Sequence, residues 1–444
     1  MSFTLTVGEV ARTLNISKQR VYQLINNKSL AAEKIGNMWL IDSQSVNRRI
    51  AVAPKAGRPS QLNKNTLYDK YTLMNGPYEV LDFCYDASAQ TFAEATDIWD
   101  ASRAPLGLIS PRGKHISKDA LSYWWQHRCI PKTRNGISAK LIELGIEATY
   151  QIPFESFGLS LSDQYWIRPQ SMNITWEDIN FFDNPFEGVE TSADWLSEVG
   201  LQSPDNTSEG ELPKCWICDG DTRILLKGGS ALGQEPYNEV IASKLYQRLL
   251  EPDDYIEYQL INRFQDTVCS CKTFVNSREE YIPAYYVRQI KRKANHHSDY
   301  QHYLECCAYL GIDKTEQALA KMIVCDDIMG NFDRHWRNFG LIRNIDTLEY
   351  RIAPLFDTGN SLWCNVPEKI LSTGDFSFTT KPFYEEANRQ LRLVNDYAWF
   401  NPDALQGFAQ NAAAILRQNP ALVSRADLIE QGIQYRIDRI IRML

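Results

Sequence analysis

The sequence has no run of about 18 apolar residues, the length that a helix needs to span the hydrocarbon core of a bilayer. Residues 1–10 are polar and lack the basic and then apolar pattern of a secretion signal. No internal repeat is evident along the 444 residues. These absences argue against a membrane protein, a secreted protein or a repeat array. We therefore expect a cytoplasmic protein that has no membrane partner.

The ten cysteines are too scattered to form the framework of a small disulfide-bonded domain. Two local pairs stand out, Cys215 with Cys218 and Cys269 with Cys271. A structural zinc ion usually takes four ligands, and neither pair has a second pair at finger spacing. Because cysteine behaves as a small apolar residue, we predict that these four are buried in strands and do not bind metal.

Positive charge is concentrated at one end of the chain. Residues 1–60 contain nine Lys or Arg and three Asp or Glu, a net charge of +6 within a chain whose total is −8. The remaining residues therefore carry −14. A basic segment on an acidic body indicates that only that segment meets nucleic acid.

The basic segment has a helix-turn-helix pattern. Thr6 and Glu9 have the spacing of a capping box that opens a short helix, and Ser17 can cap a second helix over residues 18–26. Two strand-like runs, 32–35 and 38–41, then suggest a wing. A second helix with a polar first turn can enter the major groove of double-stranded DNA, where Arg and Gln reach base edges. The residues predicted to contact DNA are Ser17, Lys18, Gln19, Arg20, Tyr22 and Gln23.

The stretch TVGEVARTLNISKQRVYQLINNKSLAAEKIGNMWLI resembles the excisionase/MerR-type helix-turn-helix. The resemblance covers about the first 47 residues and implies DNA binding by a domain over residues 1–50. The alternative is a small helical protein-interaction module with a basic surface. Residues 51–66 are rich in Pro, Gly, Ala and basic residues, which is typical of a linker.

The second half of the chain contains the residue types that phosphoryl transfer requires. That chemistry needs a lysine on the nucleotide phosphates, oxygen ligands for magnesium and a carboxylate that orients the acceptor hydroxyl. A strand–turn–strand pattern over residues 215–227 ends on Lys227, and a helix predicted over residues 239–250 carries Glu239 in its first turn. A kinase pairs its phosphate-binding lysine with a glutamate of such a helix. Taken alone, the pair is explained equally well as a surface lysine and a glutamate that the helix dipole favours in the first turn.

A second cluster follows a helix predicted over residues 315–329. Asp333 and Asn338 have the spacing of the aspartate and asparagine of a kinase catalytic loop. Asp333 would orient the acceptor hydroxyl and take its proton, and Asn338 would give an amide oxygen to magnesium. We expect His335 and Arg337 to support this loop. Arg334 and Arg337 could neutralise phosphate or pair with local acids, and the sequence does not decide between these roles.

A third cluster follows two strands predicted over residues 339–343 and 350–352. The sequence Asp357-Thr-Gly stands after this hairpin, where typical kinases have Asp-Phe-Gly and a second magnesium ligand. An aspartate near a glycine is common in turns, so this motif alone is weak. Each cluster is weak evidence alone, but all three occur in the order that a kinase uses, and together they strongly indicate a kinase.

The segments ILLKGG, YNEVIASKLYQRL, GNFDRHWRNFG and APLFDTGNSL resemble those of HipA-like serine/threonine kinases. The resemblance implies an α+β protein with a two-lobed, protein-kinase-like fold and a mostly helical C-lobe, beside the small winged helix-turn-helix domain. It places an accessory subdomain at residues 67–200, the N-lobe at 201–275 and the C-lobe at 276–444. It assigns Lys227 and Glu239 to ATP, Asp333 to catalysis, and Asn338 and Asp357 to Mg²⁺.

In this family a serine of the phosphate loop can be autophosphorylated and shut the site. The corresponding segment here lies near residues 207–214, so Thr207 and Ser208 are the candidates, although the loop is poor in glycine. The helix-turn-helix on the same chain departs from the family, because members often receive DNA binding from a separate partner. The resemblance suggests a toxin–antitoxin or growth-control setting, with a second copy of the chain or an antitoxin as partner.

The sequence thus predicts an ATP- and Mg²⁺-dependent kinase that phosphorylates Ser or Thr of a protein and is fused to a DNA-binding domain. One alternative is a transcriptional regulator whose kinase-like body senses nucleotide without transferring phosphate. The simultaneous presence of Lys227, Asp333, Asn338 and Asp357 argues against such decay. Another alternative is a small-molecule acceptor, because the catalytic residues do not reveal the acceptor.

Overall fold

The computed structural model describes residues 3–14, 17–26, 28–35, 38–51, 68–86, 91–109, 116, 118–131, 137–144, 149–186, 203–207, 211–230, 232–263 and 266–444. The chain divides into two units, residues 1–66 and residues 67–444. Both contain helices and antiparallel sheets, so the predicted mixed α and β class is confirmed. Within the described ranges, no helix is long and apolar enough to cross a membrane.

The first unit packs helices against a small sheet. Its elements are β1 (Phe3–Thr6), α1 (Val7–Leu14), α2 (Lys18–Asn26), β2 (Ala32–Ile35), β3 (Met38–Asp42) and α3 (Ser43–Ala51). The strands pair antiparallel in the order β1-β3-β2. The two predicted helices and the two predicted strands are present, whereas β1 and α3 were not anticipated.

The predicted capping box opens α1. The Thr6 amide donates to Glu9 Oε2 at 2.8 Å, and the Glu9 amide donates to Thr6 Oγ1 at 3.3 Å. Beyond this cap, apolar residues at helical spacing face inward and form one core with β3 and α3. The buried residues of this core are Val7, Val10, Ala11, Val21, Leu24, Ile25, Leu30, Ile41 and Val46.

The second unit begins with a four-stranded antiparallel sheet and three helices. These elements are β4 (Tyr68–Asn75), β5 (Tyr78–Asp86), β6 (Thr91–Ile98), α4 (Lys118–Gln126), α5 (Ile137–Leu144), β7 (Tyr165–Pro169) and α6 (Trp176–Ile179). The strand order is β6-β5-β4-β7. The many aromatic residues of this region form its core, in which Phe83, Trp125 and Trp166 are almost fully buried.

A second four-stranded sheet and the first long helix follow. They comprise β8 (Lys214–Asp219), β9 (Thr222–Lys227), α7 (Glu235–Leu249), β10 (Gln259–Arg263) and β11 (Asp266–Lys272). The strand order is β10-β11-β9-β8, which places β9 inside the sheet. The two cysteine pairs lie on β8 and β11, as predicted; three of the four are buried, whereas Cys218 is half-buried.

The rest of the unit is mostly helical around a small sheet. Its elements are β12 (Glu279–Pro283), α8 (Ala284–Val287), α9 (Asp299–Tyr309), α10 (Thr315–Met329), β13 (Gly340–Asn344), β14 (Tyr350–Ile352), α11 (Glu368–Leu371), α12 (Ala387–Leu391), α13 (Phe408–Leu416) and α14 (Val423–Ile441). The strand order is β12-β13-β14. The largest apolar core of the described residues lies here. Helices α7 and α10 and the hairpin β13–β14 pack on this core and position the residues of the candidate site.

Candidate active site

Lys227 stands at the end of β9, where its side chain is buried. Its ammonium group contacts two carboxylates, Glu239 of α7 and Asp357 after β14. A surface lysine is therefore excluded. The strand end, the helix and the later loop, which are far apart in sequence, meet at this one positive charge.

Glu239 is buried and uses both carboxylate oxygens. Oε1 accepts from Lys227, and Oε2 accepts from the amide of Thr358 at 2.8 Å. Helix α7 begins at Glu235, so the predicted start at residue 239 was wrong and Glu239 lies in the second turn. Glu235-Pro236 provides the true helix start, because proline is well tolerated in the first turn. The carboxylate of Glu239 is thus held by the ion pair and the Thr358 amide.

The charges of this cluster shift the pKa values of Lys227 and Asp357. Burial by itself would lower the pKa of Lys227, but the charges of Asp357 and Glu239 raise it well above its ordinary value. Burial would raise the pKa of Asp357, but Lys227 and then Lys214 outweigh it and hold this pKa well below the usual range. Lys227 and Asp357 are therefore both charged near neutral pH.

The Asp357 loop has an unusual backbone that α7 holds in place. Asp357 has a φ of 58°, in the left-handed region that costs energy for a non-glycine residue. Asn238 Nδ2 donates to the carbonyls of Gly359 and Ser361 at 2.8 and 2.9 Å. The hydroxyls of Tyr246 and Thr358 lie 2.8 Å apart. These buried contacts keep the Asp357 carboxylate directed at Lys227.

The predicted helix α10 ends at Gly330, which adopts a left-handed conformation with φ of 56°. The next loop carries Asp333, whose two carboxylate oxygens both have partners. Oδ2 accepts from Asn360 Nδ2 at 2.9 Å, and Oδ1 lies 2.9 Å from Lys381 Nζ. Because Asn360 belongs to the Asp357 loop, this contact joins the two loops directly.

Arg334 is fully buried and forms the main connection between these loops. Its Nε and Nη2 donate to the two oxygens of Asp326 at 2.9 and 3.0 Å. It also donates to the carbonyls of Asn338 and Phe356 and to Thr358 Oγ1, at 2.8, 2.5 and 3.0 Å. Of the two roles that the sequence left open for Arg334, the structure shows pairing with a local acid.

Asn338 is buried in the loop, and its Nδ2 donates to the carbonyl of Asp333 at 3.1 Å. This bond turns the side-chain oxygen away from that carbonyl. His335 Nδ1 accepts from the amide of Arg337 at 3.2 Å, and burial lowers the pKa of the imidazole. The lowered pKa favours a neutral His335, whose ring nitrogen is bonded within the loop. The guanidinium group of Arg337 lies 4.6 Å from the centre of the Tyr285 ring.

The structure therefore brings Lys227, Glu239 and Asp357 into direct contact and ties the loop of Asp333 and Asn338 to them through Arg334 and Asn360. Sequence reasoning did not single out Asp326, Asn360 or Lys381. Asp326 lies seven residues before Asp333 on α10 and could have been noticed as a carboxylate on the predicted helix. Asn360 lies within the segment APLFDTGNSL, which gave it no role of its own, and Lys381 lies outside every motif.

Thr207 lies at the end of a short 3₁₀ helix (Pro204–Thr207). Its hydroxyl is buried and donates to the carbonyls of Leu159 and Pro204, at 3.0 and 3.2 Å. Ser208 lies outside the described residues. Phosphorylation of Thr207 would first require the loss of these two hydrogen bonds.

The predicted DNA-contact residues lie on α2 and at its cap. Ser17 Oγ accepts from the amide of Arg20 at 3.1 Å, as an N-cap does, and Arg20 donates to Gln23 Oε1 at 2.8 Å. Ser17, Lys18, Gln19 and Tyr22 are exposed, and Arg20 and Gln23 are half-buried. The polar face of α2 is therefore open while its apolar face is in the core.

Residues 4–51 match the family model of a helix-turn-helix domain. Over 58 residues, 12% of this chain, the sequence is 45% identical to the serine/threonine-protein kinase CtkA of Helicobacter pylori (strain J99), and the match spans 18% of that relative's length. The crystal structure of the H. pylori proinflammatory kinase CtkA matches with 17% identity over 52% of this chain and 94% of that chain, at a TM-score of 0.39.

The complex of Shewanella oneidensis HipA and HipB with operator DNA matches with 12% identity over 83% of this chain and 97% of that chain, at a TM-score of 0.45. The predicted resemblance to a helix-turn-helix domain and to serine/threonine kinases is confirmed by the sequence matches: residues 4–51 form a helix-turn-helix domain, and 58 residues of this chain are similar to the serine/threonine-protein kinase CtkA.

Proposed function

We propose that residues 67–444 transfer the γ-phosphoryl group of ATP to a Ser or Thr hydroxyl of a protein, with magnesium. The observation that carries this proposal is the burial of Lys227 between the carboxylates of Glu239 and Asp357. A buried lysine in a double ion pair is costly to desolvate, so such an arrangement at a strand end points to phosphate binding. The loop that Arg334 and Asn360 tie to this cluster supplies the other two proposed site residues, Asp333 and Asn338.

The residues present fit ATP and Mg²⁺. The side chain of Asp357 is 37% exposed despite its contact with Lys227, so part of the carboxylate faces solvent. Magnesium prefers oxygen ligands and is commonly held by one or two protein groups together with substrate phosphates. Asp357 and the side-chain oxygen of Asn338 would hold the metal, which would offset charge on the phosphates. Lys227, oriented by Glu239, would bind the phosphates.

Asp333 would orient the acceptor hydroxyl and take its proton. In protein kinases this is the role of the catalytic-loop aspartate, and most of the catalysis is positioning and electrostatic stabilisation. Asn360 holds one oxygen of the Asp333 carboxylate, which limits its rotation. The buried Arg334 would keep this loop and the metal-binding loop at a constant separation.

The finer features of the proposal follow the family. Residues 201–275 and 276–444 would form two lobes with an accessory part at 67–200, and the N-terminal domain would be winged. Phosphorylation of Thr207 or Ser208 would regulate the kinase. The protein would act in growth control in the cytoplasm. A second copy of the chain or an antitoxin would be the protein partner. The HipA–HipB–DNA complex supports such a partner by analogy alone.

The kinase proposal is tested with γ-labelled ATP and the full chain. With Mg²⁺, we expect label on Ser or Thr of the chain or of an added protein extract, and ADP formation. Chelation of Mg²⁺ with EDTA should reduce both to background, and added Mg²⁺ should restore them. Tight ATP binding with neither label transfer nor ADP formation would instead favour a nucleotide-sensing regulator. Label confined to metabolites would favour a small-molecule acceptor.

For the first unit we propose binding to double-stranded DNA through the exposed face of α2. Arg20→Ala should weaken binding of the full chain to a mixed-sequence duplex by about ten-fold or more, equivalent to about 1.4 kcal/mol. The affinity of the parent should fall steeply between 50 and 200 mM salt, as expected of phosphate contacts. Fluorescence anisotropy measures both effects. Arg12→Ala, at the end of α1, is the matched control, and an equal loss in both variants would contradict the assignment to α2.

A further inference from the structure

A lysine from a distant part of the chain contacts the candidate catalytic carboxylate. Lys381 lies 48 residues after Asp333, and its Nζ is 2.9 Å from Asp333 Oδ1. The lysine side chain is 49% exposed and that of Asp333 is 26% exposed, so the pair is partly open to solvent. An exposed ion pair usually contributes little to stability. The question is whether this pair has another role.

Gln390, a buried glutamine of α12, binds the loop that carries Lys381. Gln390 Nε2 donates to Thr380 Oγ1 at 2.8 Å and to the carbonyl of Lys381 at 2.5 Å. Its Oε1 accepts from the amides of Phe383 and Tyr384 at 3.0 and 3.3 Å. One side chain thus binds the Thr380 hydroxyl before the lysine, the carbonyl of the lysine itself and two backbone amides after it. A lysine on such a fixed loop loses less freedom in the ion pair than an ordinary surface lysine does.

The same loop packs onto the candidate catalytic loop. The ring of Phe383 meets that of Trp336 edge-on, with ring centres 5.3 Å apart, and it meets Tyr300 in the same way at 5.1 Å. Trp336 lies three residues after Asp333. The Lys381 loop and the Asp333 loop are therefore joined by an aromatic side-chain contact as well as by the ion pair.

We propose that Lys381 is a catalytic residue of the phosphoryl transfer. This inference rests on the proposed kinase function. In the reaction, the acceptor oxygen forms a bond to the γ-phosphorus while the bond from that phosphorus to the β–γ bridging oxygen breaks. The hydroxyl proton passes to Asp333, and the electron pair leaves on ADP. An ammonium group beside Asp333 lies where the acceptor and the transferred group meet, so it stabilises the negative charge on the phosphoryl oxygens.

The geometry also gives Lys381 a second effect. It holds Oδ1 of Asp333 while Asn360 holds Oδ2. When the phosphoryl oxygens draw the ammonium group toward themselves, Oδ1 becomes available to the acceptor hydroxyl. The lysine thus couples transfer of the phosphoryl group to readiness of the base. It acts on the γ-phosphoryl group during transfer, and the reaction remains that of the proposed function.

The test compares Lys381→Met, Lys381→Arg and the control Lys369→Met, which removes the charge of an exposed lysine of α11. ADP formation is measured in the full chain because it includes transfer to protein and to water. We expect Lys381→Met to lower the maximal rate about 100-fold, Lys381→Arg to recover part of this loss, and Lys369→Met to leave the rate unchanged. The affinity for ATP–Mg²⁺, measured by calorimetry, should stay within two-fold in every variant, because the proposed contact of Lys381 with the phosphoryl oxygens strengthens only as the group is transferred.

The outcomes are distinguishable. If the parent forms no ADP, the proposed function fails and the inference falls with it. If the parent is active and Lys381→Met equals the control, the inference is overturned while the kinase proposal stands. A higher rate in Lys381→Met would also overturn it, because the contact would then be inhibitory. Loss of ATP–Mg²⁺ affinity in parallel with the rate would show that Lys381 acts only on the folding of the site.

Discussion

Changing Asp333 to asparagine is expected to slow phosphoryl transfer by a factor of about 100 to 10,000, the usual range for loss of a positioned base. The substitution keeps the size of the side chain and an oxygen that can face Lys381. It removes the negative charge and the proton acceptor. Affinity for ATP–Mg²⁺ should change little, because the proposed phosphate and metal contacts belong to other residues. Single-turnover release of the γ-phosphoryl group measures the first quantity, and calorimetry measures the second.

A matched control for this variant is Asp346→Asn. Asp346 is a half-exposed carboxylate in the turn before β14, where it accepts from Tyr78 and Arg278 at 2.8 and 3.2 Å. Its replacement removes one negative charge from the same unit and should leave transfer unchanged. Transfer by the Asp333 variant within three-fold of the parent would contradict the role of Asp333 as base.

Changing Arg334 to methionine is expected to lower the free energy of unfolding of residues 67–444 by about 3–5 kcal/mol. Methionine preserves much of the volume, so the effect reports the lost charge and hydrogen bonds. Asp326 would remain buried without its cation, and three acceptors would lose a donor. Removing one partner of a buried pair leaves an uncompensated charge, whose desolvation is the main cost. Urea unfolding followed by tryptophan fluorescence gives the change.

Two further variants separate the causes. Arg351→Met breaks an exposed pair with Glu279, whose closest atoms are 3.0 Å apart, and should cost less than about 1 kcal/mol. Asp326→Leu combined with Arg334→Met removes both charges and should recover a substantial part of the loss. A change below about 1 kcal/mol in Arg334→Met alone would show that the buried network does not stabilise the fold as described.

The elements next to the candidate site were largely predictable because local rules govern them. Helix α10 was predicted over residues 315–329 and has these bounds, since a glycine follows it at the position where a left-handed cap is favoured. The sequence Asp219-Gly220-Asp221 predicted a turn between β8 and β9. The alternation of side chains along the second strand predicted that Lys227 lies at its end. The two helices of the first unit followed from a capping box and apolar spacing in the same way.

Other features were not visible in the local pattern. The start of α7 was placed four residues late because Asn238 looks like a cap, whereas this side chain instead donates to the Asp357 loop. Strand β1 was missed because it has only four residues and depends on pairing with β3, and helix α3, which was also missed, packs on β3 as well. Short elements depend more on tertiary contacts than on propensity.

The sequence by itself determined the identity and order of the chemical groups: a strand-end lysine, a helical glutamate, the Asp333–Asn338 spacing and Asp357 before a glycine. Residue type and spacing carry that information, because they follow from local backbone geometry and from the chemistry of each side chain. Only the tertiary structure decided which groups meet. It paired Arg334 with Asp326, tied Asn360 to Asp333 and placed Lys381 beside the same carboxylate. The contacts of Asn360 and Lys381 with Asp333 join segments that are distant in the chain, and no local pattern encodes which distant segments meet.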